Sequence, residues 1–194
     1  MIRKRFIQII PIVAILMLLS ACGEKYEGDF SYTINDFSFT DQDGNKLSNS
    51  DLEGKFWVAD FVFTNCETVC PPMTANMARL QQQLDDADMN DVQLVSFSVD
   101  PKQDTPELLK TYAKERGALN FDNWHLLTGY DFDTIKKLSI KSFKAALDKI
   151  PDSDQYTHSS RFYLVSPEGN AIKSYDGRKP DEMKKIVQDI QDFQ

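Results

Sequence analysis

Two cysteines four residues apart carry the clearest chemistry in this chain. Cys66 and Cys70 lie in the segment Phe63-Thr64-Asn65-Cys66-Glu67-Thr68-Val69-Cys70-Pro71-Pro72-Met73. Proline has no place inside a helix but suits its first turn, so Pro71 and Pro72 predict a helix start, with Cys70 near the cap and Cys66 on the preceding loop. A helix N-terminus carries partial positive charge, which favours thiolate over thiol. Both cysteines are therefore expected to be more acidic than free cysteine, more reactive, and readier to bind a metal. A structural disulfide is the plainer use of such a pair, and an exported protein keeps disulfides easily. The ring it would close is small, however, so stability is a weak motive for it.

The elements that must position this pair are legible on either side. Phe56 to Phe63 is an almost continuous apolar run of strand length, as expected of a strand buried on both faces of a sheet. Met73, Met77, Leu80 and Leu84 recur at helical spacing after the cysteines, which reads as core filling rather than as thioether ligands. Val92 to Val99 is a second apolar strand, and Thr105-Pro106-Glu107 opens a second helix running toward Gly117. Trp124 to Thr128 reads as a short strand, Asp131 caps a third helix, and Asp148 to Thr157 reads as a polar loop. Phe162–Val165 and Ala171–Tyr175 flank a turn and form a hairpin, and Pro180 starts the last helix. Upstream, Phe37 and Phe39 alternate with polar residues before the turn cluster Asp41-Gln42-Asp43-Gly44-Asn45, which predicts an N-terminal hairpin. The order predicts an α/β fold, a thioredoxin-like sandwich with a mixed central sheet flanked by helices. The cysteines then fall at the carboxyl end of a central strand, where such sheets place their sites.

Three cysteines are an odd number, and the third has a separate explanation. Arg3, Lys4 and Arg5 precede an apolar run from Phe6 to Leu19, shorter than the roughly 20 residues of a membrane span, so residues 1–21 read as an export signal. The run ends in Leu19-Ser20-Ala21-Cys22, which resembles the lipobox of bacterial lipoproteins and makes Cys22 the expected lipidated N-terminus. Residues 22–32 are then a tether and residues 33–194 the folded domain. Removing residues 1–21 deletes three positive charges and no acid, turning the net charge of −8 into 19 basic against 30 acidic residues, or −11. A body this acidic excludes nucleic acid as a partner.

With these segments in place, the chain is identified as resembling the Sco/SenC family. The resemblance rests on Cys66-x-x-x-Cys70-Pro71 after an apolar strand, on Ser98-Val99-Asp100-Pro101-x-x-Asp104-Thr105-Pro106, and on His158-Ser159-Ser160-x-Phe162-Tyr163-Leu164-Val165. It implies a lipid-anchored, monomeric copper chaperone on the extracytoplasmic face of the cell membrane. It further implies one copper ion, Cu(I) or Cu(II), held by Cys66, Cys70 and His158, and assembly of the CuA centre of cytochrome c oxidase subunit II as the task. The donor chemistry agrees. Thiolates favour Cu(I), an added imidazole also suits Cu(II), and structural zinc normally takes four protein ligands. The alternative from the same residues is an extracytoplasmic thiol–disulfide oxidoreductase, with Cys66 attacking and Cys70 resolving. A peroxidase fits poorly, because peroxiredoxins keep a threonine three residues before the reactive cysteine and Phe63 stands there.

Asp60 lies six residues before Cys66, the offset at which thioredoxins keep a buried aspartate; a strand carboxylate satisfied by a nearby donor is its plainer reading, and a proton relay is the alternative that the likeness offers. His125 has no motif around it and reads as structural. Asp100 and Asp104 flank a turn before a helix, where capping and turn formation are their expected work, with support of the site or contact with a partner as the alternative.

Overall fold

The computed structural model describes residues 26–194. The signal peptide and the lipidated Cys22 expected from the sequence lie outside the described residues. In chain order the elements are β1 (Tyr32–Thr33), β2 (Ser38–Thr40), β3 (Lys46–Ser48), β4 (Trp57–Val62), α1 (Cys70–Asp86), β5 (Gln93–Ser98), α2 (Pro106–Lys114), β6 (Trp124–Leu127), α3 (Phe132–Phe143), β7 (Asp148–Lys149), β8 (Tyr156–Thr157), β9 (Arg161–Val165), β10 (Asn170–Asp176) and α4 (Pro180–Phe193).

The main sheet has the order β1-β10-β9-β4-β5-β6. Strands β4, β5 and β6 are parallel, while β9 and β10 continue the sheet antiparallel from β4. All six residues of β4 are buried, as its unbroken apolar run requires of a strand covered on both faces. One face packs Val58, Leu94 and Leu126 against Met73, Met77 and Leu80 of α1, Leu109 of α2, and Met183, Ile186 and Ile190 of α4. The other packs Trp57, Phe61 and Phe97 against Ile135, Leu138 and Phe143 of α3 and against Phe37, Phe39 and Leu47 of the β2–β3 hairpin. This is a thioredoxin-like open sandwich with an N-terminal hairpin. Helix starts follow the sequence signals: the Thr105 side chain accepts from the Leu108 amide, and the Asp131 side chain from the Thr134 amide.

Two segments depart from expectation. The stretch read as a tether, residues 22–32, is packed on the body over its described part. Tyr26 is buried edge-on against Phe56 and Phe193, the Phe30 amide donates to the Ile172 carbonyl, and β1 pairs with β10. Aromatic residues at 26, 30 and 32 give this short stretch enough apolar surface to dock, which outweighs its small, polar neighbours. The polar loop from Asp148 to Thr157 carries its own two-stranded ladder, β7–β8, closed around the turn at residues 150–155. Among the described residues, no helix is long and apolar enough to cross a membrane.

Docking of the N-terminal stretch depends on a close backbone approach at Gly28, where an added Cβ would lie 2.2 Å from the Ile172 carbonyl oxygen. Gly28→Ala is therefore expected to lower stability by about 1 kcal/mol or more in thermal unfolding, and an unchanged melting temperature would refute the tight docking.

Candidate metal centre

The centre forms where β4 ends. The Val99 amide donates to the Val62 carbonyl at 2.8 Å, holding the last residue of β4 beside the end of β5. Beyond it the chain folds back through a bond from the Cys66 amide to the Phe63 carbonyl (3.3 Å), and α1 begins at Cys70 with Pro71 and Pro72 in its first turn. The Cys66 sulfur accepts the Cys70 N–H at 3.3 Å. It thus takes one of the free amides at the helix start, a place usually filled by a Ser, Thr or Asp oxygen.

His158 arrives from the segment between β8 and β9. Because β9 runs antiparallel beside β4, with Tyr163 opposite Ala59, the residues preceding β9 lie next to those following β4. The His158 Nδ1 lies 2.9 Å from the Ser159 carbonyl oxygen. A carbonyl only accepts, so Nδ1 carries the proton in the neutral ring and Nε2 keeps its lone pair. Nε2 lies 3.2 Å from the Cys70 sulfur. Phe63 packs edge-on against the imidazole at 5.7 Å and against Tyr156 at 5.4 Å, so the ring has an apolar backing. The donor atoms of Cys66, Cys70 and His158 all lie within 4.8 Å of one another, and both cysteines are free thiols.

The two thiols are electrostatically unequal, contrary to the expectation that both would be acidic. The hydrogen bond from the Cys70 thiol, assisted by His158 and the Thr68 and Cys70 amides, outweighs partial burial and brings the Cys66 pKa down to about 3. Burial pushes the Cys70 thiol up, and the neighbouring Cys66 and the Asp60 charge push it further in the same direction. Cys70 is 0% exposed and Cys66 8% exposed. The acidity of the outer cysteine thus comes first from its neighbour's thiol, with the amides at the helix start adding to it, while desolvation decides the inner one.

Asp60 is fully buried in β4, opposite Ser96 of β5, and neither of its carboxylate oxygens has a hydrogen-bond partner. Burial, the largest influence on it, raises its pKa to about 7. His125 lies apart from the cysteines on β6, its Nε2 paired with the Gln93 side chain at 3.1 Å. Met73 and Met77 fill the core.

Sequence reasoning left the supports of the cysteine loop undetermined. Asp104 is 2% exposed; its Oδ1 accepts the Thr64 hydroxyl at 2.6 Å and amide at 3.2 Å, and its Oδ2 accepts the Ser98 hydroxyl at 2.6 Å. Asp100 accepts from the Tyr156 hydroxyl at 3.1 Å. On the outer side, the Asn65 amide donates to Asp154 (2.8 Å) and the Asn65 carbonyl accepts from Gln155 (3.0 Å), fastening the loop to the β7–β8 arm that leads to His158. The motif around Asp104 was visible in the sequence, but its partner 40 residues earlier was not.

Residues 26–193 match the SCO1/SenC family. The chain belongs to the SCO1/SenC family. Among solved structures, a SCO1/SenC family lipoprotein from Bacillus anthracis is 44% identical, with a TM-score of 0.79 over 84% of this chain and 95% of that one. BsSco, a member of the Sco family of cytochrome c oxidase assembly proteins in which a disulfide switch is described, is also 44% identical (TM-score 0.78; 88% and 98% covered). ScoI from Arabidopsis thaliana, solved with copper bound, is 29% identical (TM-score 0.68; 81% and 98% covered). As a SCO1/SenC protein with a Cys/Cys/His cluster, the chain carries a donor set compatible with copper.

The unequal thiols predict unequal reactivity. Iodoacetamide at pH 6 should label Cys66 at least about tenfold faster than Cys70, read by peptide mass spectrometry; equal rates would contradict the assignment of the thiolate. Asp60 predicts a pH dependence of stability. Its carboxyl titrates near 3.9 when unfolded and about 7 when folded, so between these values only the folded state holds the proton. Stability is then lost as pH rises through that window, by about 4 kcal/mol relative to Asp60→Asn. Parallel denaturant curves for the two proteins from pH 4 to 8 would exclude such a buried acid.

Proposed function

We propose that this protein is a copper carrier that binds one Cu(I) or Cu(II) ion through Cys66, Cys70 and His158 and supplies it to the CuA site of cytochrome c oxidase subunit II. The observation that carries the reading is the convergence of two sulfurs and an imidazole nitrogen with its tautomer fixed for binding. Soft sulfur donors select copper in its lower oxidation state, and the imidazole extends the set to the higher one. Two thiolates leave a charge of −1 on Cu(I) and zero on Cu(II), both tolerable at a site that is partly open. Three protein donors with Cys66 at the rim leave room for an incoming client ligand, which suits cargo that must leave. Similarity to copper-bound ScoI supports the metal, and similarity to BsSco supports the oxidase as client.

The same reading places a monomer on the extracytoplasmic face of the cell membrane. A signal at residues 1–21 directs export and, once it is removed, a lipid on Cys22 holds the domain there, supported by the sequence motif and by likeness to the B. anthracis lipoprotein. The described domain of residues 33–194 and the packed stretch before it then stand outside the bilayer.

One set of observations favours a second activity at the same atoms. An acidic Cys66, the less enclosed of the two, beside a fully buried neutral Cys70 is the arrangement of an attacking and a resolving thiol, and Asp60 lies close enough to raise the Cys70 pKa. In that reading the pair reduces client cysteines, and Asp60 exchanges the proton of Cys70.

Titration of the reduced mature protein against a chromophoric Cu(I) chelator tests the carrier reading. One tightly bound ion is expected, lost in Cys66→Ala and Cys70→Ala. Since Cys66 is already a thiolate, binding displaces essentially the Cys70 proton, so apparent affinity should rise about tenfold per pH unit near neutrality. In cells lacking the protein, His158→Ala should fail to restore oxidase activity although both thiols remain. Full restoration by His158→Ala would favour the reductase reading, and no tight copper binding would remove the carrier reading.

A further inference from the structure

The loop that holds both sulfurs has few internal bonds. Between the end of β4 and the start of α1, the Cys66 amide finds the Phe63 carbonyl, and the Cys70 amide finds the Cys66 sulfur. What fixes this loop relative to the sheet comes from 40 residues away. The Asp104 carboxylate takes the amide and the hydroxyl of Thr64 on one oxygen and the Ser98 hydroxyl on the other.

Asp104 is itself immobilised on both sides. Its amide donates to the Asp100 carbonyl at 2.9 Å, and its own carbonyl accepts the Thr128 hydroxyl at 2.9 Å. Ser98 is the last residue of β5, and Thr128 follows the last residue of β6. Asp104 therefore ties a residue two positions before Cys66 to the carboxyl end of β5 through its carboxylate, and is itself held to the residue after β6 through its backbone carbonyl. A turn or a cap needs no buried carboxylate, and burying one among neutral donors costs stability. Its particular capacity is to accept three bonds at once on two rigidly related oxygens, which neither a hydroxyl nor an apolar side chain does.

We propose that Asp104 is the positioning residue of the metal loop, acting through Thr64 to set where Cys66 stands relative to Cys70 and His158. This rests on the copper reading of the three donors. It makes no contact with the metal and does not depend on a charge at Asp104. It makes affinity at the site a property of a strand-end clamp as well as of the donors.

The test compares Asp104→Ala, Asp104→Asn and Thr64→Val in the mature protein, with Asn76→Ala as control. Asn76 donates to the Gly177 carbonyl from inside α1, so its loss destabilises the fold away from the loop. Three quantities are read: melting temperature, Cu(I) affinity by chelator competition, and amide hydrogen exchange at Thr64 and Cys66 in copper-free protein. Asp104→Ala should weaken Cu(I) binding about tenfold, the lower end of losses seen when an outer-shell support is removed, and speed exchange at both amides. Thr64→Val should do the same to a smaller extent. Asp104→Asn, which keeps an acceptor for Thr64, should stay within about threefold of the parent. The control should lower the melting temperature without moving affinity.

Copper affinity unchanged in Asp104→Ala while stability falls as in the control would overturn the proposal. Should Asp104→Ala not fold, unchanged affinity and exchange in Thr64→Val would overturn it equally. Faster exchange in Asp104→Ala combined with no copper binding by the parent would uphold the clamp and defeat the copper reading instead.

Discussion

The bond from the Cys70 amide to the Cys66 sulfur is the interaction on which the centre depends. It exists because α1 begins at Cys70, and α1 begins there because Pro71 and Pro72 fit only the first turn. A helix start leaves amides without internal partners, and the loop from β4 is short enough that the sulfur four residues back is the group that reaches one. The helix start thereby carries the Cys70 sulfur and holds the Cys66 sulfur of the preceding loop to it with one bond. The sheet then supplies the remaining donor, since β9 beside β4 delivers His158 to the same end.

Unequal burial divides the labour between the two sulfurs. The inner thiol is fully enclosed and stays protonated until a metal or a disulfide partner replaces its proton, while the rim thiolate is ready at neutral pH. A carrier gains from this asymmetry, because an empty site carries one negative charge rather than two in a poorly solvated place. The same asymmetry is what a thiol exchange reaction uses. On the carrier reading, copper binding and disulfide formation would compete for identical atoms, so the oxidation state of the pair would decide whether the donor set exists at all.

Much of this was legible in the chain. The apolar run of β4, the proline-marked start of α1 and the caps Thr105 and Asp131 announced their elements directly, because each rests on local backbone chemistry. The cysteine pair was legible from its own spacing and prolines, but His158 only through resemblance, since Cys70 and His158 are 88 residues apart and meet through strand pairing. The expectation of two acidic thiols missed because helix-end charge reads from sequence, whereas enclosure by α1, β4 and the His158 segment does not. The docked stretch at residues 26–32 was misread for a related reason. Its small and polar residues outnumber its aromatics, yet Tyr26, Phe30 and Tyr32 decide its packing.

The mounting of the three donors bears on release as well as on binding. The Cys70 sulfur stands on the first turn of α1 and the Cys66 sulfur is bonded to that turn from the loop before it, so the two are tied to each other. His158 stands on a separate segment, steadied by its own bond to the Ser159 carbonyl, by Phe63, and by the arm that Asn65, Asp154 and Gln155 fasten to the loop. Those last bonds are exposed and individually weak, of the order of 1 kcal/mol each. A client that competes for Asn65 or for the β7–β8 arm therefore loosens the imidazole while leaving the dithiol intact. On the carrier reading, that converts a three-donor site into a two-sulfur one at the moment of contact, which favours departure of the ion only when an acceptor is present to receive it.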